Sequence, residues 1–474
     1  MEGQKNIETP AGGENQNDFL GFQPVGKLLL QLAVPSITAQ LINMLYNIVD
    51  RIYIGHIEGV GHLALSGVGV VFPVIMLITA FCNLVGMGGA PLASIRMGRK
   101  ENRQAEKILG NCFVLLVLLA AVITVVFFVF ARPLLLLFGA SQETVGYGLD
   151  YMRVYVLGTV FVMIALGLNP FISAQGFARV SMYTTLIGAA LNIVLDPVFI
   201  FLLGMGVQGA AVATVLSQGV SALWVLRFLS GEKTVWKLRK RDFKPALKIL
   251  GPVMALGLSP FVMMSTESLL SIAFNTSLQK YGGDLAVASM TVLSSLMQVC
   301  LMPIQGLAQG AQPIISYNYG AGNIRRVREA FWLLLKLSVG FASVFWAACL
   351  LAPEIFVSIF AQEEALREMA AWALRIYMGG ILMMGVQNAC QQTFVALGKA
   401  GISLFLALLR KMILLIPLIY LLPGLLEDKV FAVLLAEPVS DVTAACVTFL
   451  LFCLTLRKMM NNTKGQGKAP ENPG

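Results

Sequence analysis

Two polar side chains interrupt an apolar stretch of the sequence, GAALNIVLDPVFIFLLGMG at residues 188–206. Asn192 and Asp196 are four positions apart, so they share one face of a helix. Pro197 follows at once and leaves the carbonyl group of Ile193 without its helical donor, which kinks the helix. A freed carbonyl beside a carboxylate can hold a sodium ion or a proton with its water. The stretch therefore predicts a cation site inside an apolar segment.

A second carboxylate belongs to the same predicted site. Asp50 ends a polar stripe in the first apolar segment, and the spacings of four and three residues place the stripe on one helical face. The stripe consists of Ser36, Gln40, Asn43, Asn47 and Asp50, and the sixth segment adds Thr214, Gln218 and Ser221. Two carboxylates in a dry bundle repel each other, and a bound cation relieves that repulsion. We weigh a cation-coupling site against a polar network that only fixes helix packing. We favour the coupling site because neither aspartate has a basic partner in the spans of its own half.

The segments that carry these residues must cross a membrane. The chain has 474 residues, 57% hydrophobic and only 12% charged, whereas a soluble domain carries about 25% charge. Apolar runs of about 20 residues predict membrane-spanning helices, and no alternation typical of a porin is present. The twelve predicted spans are 28–54, 62–90, 108–131, 147–170, 181–203, 208–230, 246–276, 285–316, 330–352, 368–395, 402–424 and 430–456. We therefore expect an all-α membrane protein.

The charge distribution predicts how the spans are oriented. Basic residues cluster after the second, sixth and eighth spans, around 96–107, 233–248 and 325–328. The positive-inside rule then places both termini in the cytoplasm. Residues 1–27 contain no cleavable signal peptide, and we expect them and residues 457–474 to be disordered cytoplasmic tails. The net charge of +9 follows from these loops and does not indicate nucleic-acid binding.

The two halves of the chain repeat each other at an offset of 222 residues, which becomes 225 before the first external loop, where Pro35 pairs with Pro260. Arg153, Tyr155 and Gly158 fall on Arg375, Tyr377 and Gly380, for example, and the same offset carries Pro91 onto Pro313. Each half holds six spans, so both enter the membrane in the same orientation. This predicts two six-helix bundles, 28–230 and 246–456, related by a pseudo-two-fold axis along the membrane normal and joined by a cytoplasmic linker at 231–245. The architecture favours an alternating-access carrier with a substrate cleft between the bundles, although duplication could also serve only to build a large bundle.

The second half has different polar residues from the first. Together with Gln40, Asn43 and Asn47, we expect the walls of the substrate cavity to include Glu267, Gln298, Met302, Gln305, Gln387 and Gln391. Glutamines suit a wet wall, with hydrogen bonding between helices as the alternative, and methionines suit a cavity that accepts many shapes. Glu267 is the best carboxylate of this half for a cationic substrate, with a structural role as the alternative. An internal charge network is expected among Arg410, Lys411, Glu437 and Asp441, either as ion pairs between adjacent helices or with a functional role.

Several function classes lack support in the sequence. No P-loop, HExxH or aspartate-rich diphosphate motif occurs, so an ATP-driven pump within this chain and an intramembrane enzyme are disfavoured. The seven cysteines lie in or beside apolar spans without a CxxC pair, which is typical of small apolar core residues. No cofactor is expected, and no metal beyond a sodium ion at the cation site.

Three stretches resemble the multidrug and toxic compound extrusion (MATE) family: LAVPSITAQLINMLYNIVDRIYIGH, AQGFARVSMYTTLIGAALNIVLDPVFIF and GVQGAAVATVLSQ. The resemblance covers roughly residues 25–457. It implies efflux of organic, mostly cationic and amphipathic compounds in exchange for H⁺ or Na⁺ across a bacterial inner membrane. The family's amino-terminal cation site matches Asp50, Asn192, Asp196 and Thr214. Some members use carboxylates in the second half, but Gln387 and Gln391 stand where the partner carboxylate of Glu267 is expected.

One alternative function remains open from the sequence, a flippase for a lipid-linked saccharide or lipid precursor. Such a substrate has a polyanionic headgroup and would need a basic cavity, whereas only Arg410 and Lys411 are internal cations here. The sequence does not choose between H⁺ and Na⁺ and does not name the natural substrate. Two complete halves allow the protein to work as a monomer in the lipid bilayer.

Overall fold

The computed structural model describes residues 19–57, 60–360 and 363–466, and the described chain is helical with short connections. The first half contains six spans, which we number 1 to 6. They are Val25–Gly55, Gly61–Gly98, Asn102–Val129, the bent pair Val145–Leu157 and Thr159–Ala174, Ala178–Pro197 continued by Val198–Leu202, and Gly206–Ser230. A short helix, Ala131–Leu137, lies between spans 3 and 4.

The second half contains spans 7 to 12. Spans 7 and 8 form one run, Leu247–Gly320, which divides at Gly283, where φ is +65° and the backbone is not helical. The others are Ile324–Leu351, Glu364–Tyr377 continued through Met378–Gly380 to Ile381–Ala396, Ala400–Leu408 continued through Leu409–Leu415 to Ile416–Leu425, and Lys429–Gln466. A short helix, Pro353–Ser358, lies between spans 9 and 10.

The twelve predicted spans are confirmed. Within the described residues, ten helices are long and apolar enough to cross a membrane, and the pair bent by 60° at Gly158 makes an eleventh span. The long run counts as one of the ten, and its break at Gly283 yields the twelfth. The chain is therefore an all-α, multi-pass membrane protein.

The internal repeat appears in the helix boundaries themselves. The offset that carries Pro91 onto Pro313 also relates the ends of whole helices. Span 3, Asn102–Val129, falls on span 9, Ile324–Leu351. The second part of span 4, Thr159–Ala174, falls on the second part of span 10, Ile381–Ala396. The same offset carries the first residue of span 5 onto that of span 11, and both spans change from α-helix to π-helix, at Val198–Leu202 and Leu409–Leu415. In span 5 the change follows Pro197 directly, where the sequence predicts a kink. Each half therefore folds as one version of the same six-span unit.

The two bundles are packed together through glycines at one end. A Cβ on Gly257 in span 7 would stand 1.7 Å from the backbone oxygen of Leu84 in span 2. A Cβ on Gly98 would stand 2.0 Å from the backbone oxygen of Tyr317 at the end of span 8. Similar approaches join Gly306 to Ile37 and Gly310 to Ala33. These contacts lie in the half of the spans nearest residue 25, which is the end that the charge pattern assigns to the cytoplasm. A substrate cleft between the bundles is therefore expected to open toward the opposite side.

The linker 231–245 is folded against the first bundle. The side-chain oxygen of Gln175 accepts hydrogen bonds from Thr234 Oγ1 and from the backbone nitrogens of residues 235 and 236, at 2.9, 2.8 and 3.1 Å. Trp236 is fully buried. Further along, Arg103 forms an ion pair with Asp242, and the backbone nitrogen of residue 246 donates to Asn111 Oδ1 at 2.7 Å. The polar anchors lie far along the chain from their partners, which is why the sequence indicates only a basic loop.

The ordered part of the chain extends into both predicted tails. Residues 19–22 form a helical turn, and residues 25–27 already belong to span 1, so the prediction that 1–27 is disordered is wrong for residues 19–27. Arg326 donates to the backbone oxygens of Leu20 and Gln23, and Asn318 also donates to Leu20, so this segment is fixed to the second bundle. Residues 457–466 continue the last helix. The remaining tail residues, 1–18 and 467–474, lie outside the described residues.

Candidate functional site

Three of the four predicted cation-site residues form one hydrogen-bonded cluster between spans 5 and 6. Asn192 Nδ2 donates to Asp196 Oδ1 at 3.0 Å and is 3.3 Å from Thr214 Oγ1. Asn192, Asp196 and Thr214 are 2%, 0% and 7% exposed. The one-turn spacing within span 5 places the amide beside the carboxylate, as the sequence predicts. The amide holds both neighbours in place and neutralises neither of them.

Asp50 joins the cluster from span 1. Its carboxyl group lies beside that of Asp196, and Arg51, the next residue in the chain, partly opposes the charge of Asp50. Three oxygens of the cluster have no hydrogen-bond donor among the described residues: Asp50 Oδ1, Asp196 Oδ2 and Asn192 Oδ1. Unpaired buried oxygens are costly unless a ligand satisfies them. This donor set has the chemistry that a sodium ion or a proton requires.

Two tyrosines near these carboxylates were missed by the sequence reasoning. Tyr46 interacts with Asp50 and Asp196, and Tyr151 in span 4 interacts with Asp50 and with the hydroxyl of Thr214. Tyr46 stands four residues before Asp50 on the same helical face, so its spacing was an available signal. Tyr151 has no such signal, because only the fold brings span 4 against span 6, which carries Thr214. Both phenols add oxygen atoms to the wall of the site.

A small pocket of about 30 Å³, with room for one or two water molecules, adjoins the cluster inside the first bundle. Its walls come from spans 1, 4, 5 and 6. The lining residues include Asn43, Tyr46, Asn169, Thr184, Gly188, Asn192, Thr214, Ser217, Gln218 and Ser221. A Cβ on Gly188 would stand 2.7 Å from Ser221 Oγ, so glycine lets span 6 approach span 5 closely at this wall. Of the residues predicted for the substrate cavity, Asn43 lines this pocket.

The other predicted cavity residues of spans 1 and 8 do not form a single cluster. Gln40 is half-buried, whereas Asn47 is exposed and its side chain donates to the backbone oxygen of Asn43 in its own helix. In span 8, Gln298 and Gln305 are exposed and Met302 is half-buried. They are accessible on the helix surface, which agrees with a wall position and does not by itself assign a ligand.

Gln387 and Gln391 are placed differently from the prediction of a cavity wall. Gln391 is 2% exposed, and its amide nitrogen donates to Ser259 Oγ, Ser403 Oγ and Ser403 O at 2.8–3.0 Å. Gln387 is 6% exposed and accepts a hydrogen bond from Thr448 at 2.5 Å. Both amides are used to join helices of the second bundle. The prediction that they line the substrate cavity is therefore corrected to a packing role, since their polar atoms are turned toward neighbouring helices.

The internal charge network exists, and it includes Glu267. Arg410 Nη2 lies 3.0 Å from Glu437 Oε1, and Arg410 Nε lies 2.7 Å from Asp441 Oδ1. Lys411 forms an ion pair with Glu267 and donates to the backbone oxygen of Met263 at 2.9 Å. The Glu267 side chain is 67% exposed, while that of Lys411 is 5% exposed. Glu267 is therefore accessible but already paired, and spacing within span 7 could not reveal its partner in span 11.

Two bundles of six spans that repeat one another and pack across a shared interface define a carrier of the alternating-access class. The MatE family model matches this chain twice, at residues 35–198 and 260–421, once in each bundle. The chain belongs to the MatE family. Both matches begin at a proline in the first span of a bundle, Pro35 and Pro260.

Curated relatives and solved structures agree with this assignment. The multidrug export protein MepA of Staphylococcus aureus (strain N315) is 26% identical over 444 residues, which are 92% of this chain and 96% of the relative. MepA of Staphylococcus haemolyticus (strain JCSC1435) is 25% identical over 427 residues, 90% of this chain and 93% of the relative.

The fold matches solved MATE transporters across almost the whole chain. A crystal structure of MATE in a bent conformation has a TM-score of 0.89 at 24% identity, covering 95% of this chain and all of that one. A multidrug resistance MATE family transporter in an outward-facing conformation has a TM-score of 0.88 at 24% identity, covering 94% of this chain and 99% of that one. These likenesses establish the two-bundle fold.

Proposed function

We propose that this protein is a secondary active multidrug efflux carrier that exports organic, mostly cationic and amphipathic compounds by antiport with H⁺ or Na⁺. The observation that carries the proposal is the buried cluster of Asp50, Asn192, Asp196 and Thr214, in which three oxygens await a partner. Membership of the MatE family and the MepA relatives support export of drugs. H⁺ or Na⁺ is the transported coupling ion, and no resident cofactor takes part.

The coupling follows from charge and access in the first bundle. An ion that binds between Asp50 and Asp196 removes their mutual repulsion and draws spans 1 and 5 together through its ligands. The same ion changes the shape of the adjoining pocket, because Asn192 and Thr214 belong to both. A conformational equilibrium shifts only by the difference in ion affinity between its two states. One elementary charge moved through 100 mV supplies about 2.3 kcal/mol for that shift.

The structure disfavours the flippase alternative on electrostatic grounds. A polyanionic headgroup needs unpaired cations in the cavity, and the two internal cations of the second half are both matched by carboxylates. The first bundle contributes the acidic cluster of Asp50 and Asp196. We therefore favour organic cations over lipid phosphates as the substrates of this chain.

The cellular setting is part of the same proposal. We place the protein in a bacterial plasma membrane with both termini in the cytoplasm, because the basic loops lie after spans 2, 6 and 8. Both bundles and their interface come from one chain, so a monomer in the lipid bilayer can carry out the transport cycle.

Ethidium efflux from proteoliposomes tests the proposal, with a pH gradient and a sodium gradient imposed separately. We expect one gradient to drive efflux and Asp196→Asn to abolish that response. Asp150→Asn is the matched control, since Asp150 is an exposed carboxylate that accepts a hydrogen bond from Gln208 at 3.1 Å outside the cluster.

Two results would contradict the proposal in different ways. If neither gradient moves ethidium or other organic cations, the protein is not a cation antiporter, and lipid flipping should be measured next. If efflux proceeds but Asp196→Asn behaves like the control, the coupling ion binds elsewhere.

A further inference from the structure

The segment that precedes span 1, residues 19–23, lies against both bundles at their closed end, where they pack together through glycines. We call this segment the strap. In the first bundle, the ring of Phe19 packs on Gly176 in the connection between spans 4 and 5, and a Cβ on that glycine would stand 2.4 Å from Phe19 Cζ. Leu20 is fully buried. The strap is therefore a packed part of the molecule and not a loose end of span 1.

The second bundle holds the backbone of the same segment. Arg326 Nη2, in the first turn of span 9, donates charge-assisted hydrogen bonds to the backbone oxygens of Leu20 and Gln23 at 3.2 and 2.6 Å. Asn318 Nδ2, near the end of span 8, donates to the Leu20 oxygen at 2.9 Å. Arg326 Nε also donates to Asn318 Oδ1 at 3.1 Å, so the two donors orient each other. The strap is thus attached to the first bundle by Phe19 and to the second bundle by its backbone oxygens.

The linker before span 7 crosses between the bundles in the reciprocal way. It leads into the second bundle, yet Asp242 forms an ion pair with Arg103, and the backbone nitrogen of residue 246 donates to Asn111 Oδ1, both in span 3 of the first bundle. The strap leads into the first bundle and is bonded to span 9 of the second, and the repeat places span 9 on span 3. The segment before each bundle is therefore bonded to the third span of the other. The linker is a covalent connection between the bundles, whereas the strap reaches the second bundle through noncovalent contacts alone.

Opening of the closed end pulls the two attachments of the strap apart. An alternating-access carrier exposes each side of the membrane in turn by moving one bundle relative to the other. Gly176 moves with the first bundle, and Arg326 and Asn318 move with the second. A short segment that is packed on both cannot follow both, so one attachment must break. Because the two attachments are in series, the strap opposes opening by the free energy of the weaker one.

We propose that residues 19–23 form a releasable strap, which holds this end shut and detaches from one bundle each time the end opens. The strap sets how readily the end opens, and with it how readily a substrate on that side reaches the cleft. It acts through contacts between the bundles and requires no particular coupling ion or substrate. The strap can therefore fail as a proposal while the antiport function stands, and the reverse also holds.

The test measures how often the closed end opens, through the reactivity of a cysteine buried at the interface. Ile95→Cys suits this purpose, because Ile95 is 7% exposed and its backbone oxygen would stand 2.0 Å from a Cβ on Gly320 of the second bundle. The full-length protein carries this change with the exposed Cys446 and Cys453 replaced by serine, and a water-soluble maleimide is added in detergent. The same chain with Ile95 retained gives the background rate. When opening and closing are fast relative to modification, the rate follows the equilibrium population of the open state.

Phe19→Ala and Arg326→Ala should each raise the rate of modification about tenfold or more, because each removes one of two attachments in series. Phe22→Ala and Arg328→Ala are the matched controls, since Phe22 is 79% exposed in the same helical turn as Phe19 and Arg328 is exposed in span 9. Neither control should change the rate. If Phe19→Ala and Arg326→Ala react no faster than their controls, the strap does not hold this end shut and the proposal is overturned.

The double variant separates a strap from two independent contacts. Attachments in series give no further gain once one is lost, so Phe19→Ala combined with Arg326→Ala should react at the rate of the faster single variant. Independent contacts would instead multiply the two increases, and that result overturns the proposal. If Arg326→Ala does not fold, the comparison of Phe19→Ala with Phe22→Ala decides alone. These readouts need no transport, so they stand even if the antiport function fails.

Discussion

A close approach between the bundles at Gly257 yields the first prediction, because one added methyl group should change the conformational balance. Gly257→Ala places a Cβ 1.7 Å from the backbone oxygen of Leu84 and 2.6 Å from its carbonyl carbon. Real Cβ contacts stay beyond 3.0 Å, so spans 2 and 7 must separate at this level to make room for the methyl group. Overpacking of this kind costs about 1–3 kcal/mol. The cost falls only on the conformation in which this end is closed.

We therefore expect Gly257→Ala to shift the population toward a conformation in which this end is open. A difference of about 1–3 kcal/mol corresponds to about a 5–150-fold change in the equilibrium constant. The distance between spin labels at Arg99→Cys and Arg325→Cys, measured by double electron–electron resonance, reports this population. Both side chains are exposed, lie near this end and belong to different bundles. The exposed Cys446 and Cys453 should first be replaced by serine. The longer-distance population should grow.

Gly251→Ala is the matched control in the same span. A Cβ at Gly251 meets no atom within 4 Å, so the change adds the same methyl group without strain. The two alanine variants should differ clearly in their distance distributions. If Gly257→Ala gives the same distribution as Gly251→Ala, close packing of spans 2 and 7 does not hold this end shut, and the reasoning is refuted.

Three further outcomes are expected. Thr214→Val removes a hydroxyl that Asn192 contacts and should weaken the affinity for the coupling ion about tenfold or more. The dependence of the melting temperature on ion concentration measures this affinity, and an unchanged dependence would exclude the hydroxyl as a ligand. Gln175→Ala deprives three linker donors of their acceptor and should lower the free energy of unfolding by about 1–3 kcal/mol in denaturant titrations. A smaller loss would mean that water replaces the amide as the acceptor. Arg326→Ala should speed amide hydrogen exchange at residues 19–24, and unchanged exchange would assign their order to apolar packing alone.

The length of the apolar runs was sufficient to predict the twelve spans, and helical periodicity was sufficient to place Asn192 beside Asp196. Asn192 and Asp196 share a face because they are one turn apart, and that relation is local. The sequence also assigns Asp50 to this site, because a charged side chain in a membrane span is costly unless it faces other polar groups. Tyr46 was overlooked although it stands one turn from Asp50, because a tyrosine in a membrane span is more often an interfacial residue.

The remaining features depend on contacts that periodicity does not encode. Gln387 and Gln391 form an i,i+4 pair like the cation-site residues, yet they face neighbouring helices rather than a cavity. The direction in which a helical face points depends on the packing of the whole bundle. Likewise, the pairing of Lys411 with Glu267 joins residues 144 positions apart. A single sequence offers charges of both signs in this region, and only the fold decides which of them meet.

The attachment of the linker to the first bundle has a mechanical consequence. Because Gln175 and Asn111 hold residues 234–236 and 246, most of the linker moves as part of the first bundle and contributes no slack between the two. The boundary between the two moving bodies therefore lies at the start of span 7 and not in the middle of the loop. Flexible residues inserted after Glu232 would lengthen the loop on one body only. The same insertion after Ala246 would break the direct transmission of force into span 7, so that its tilt would no longer follow from the motion of the first bundle.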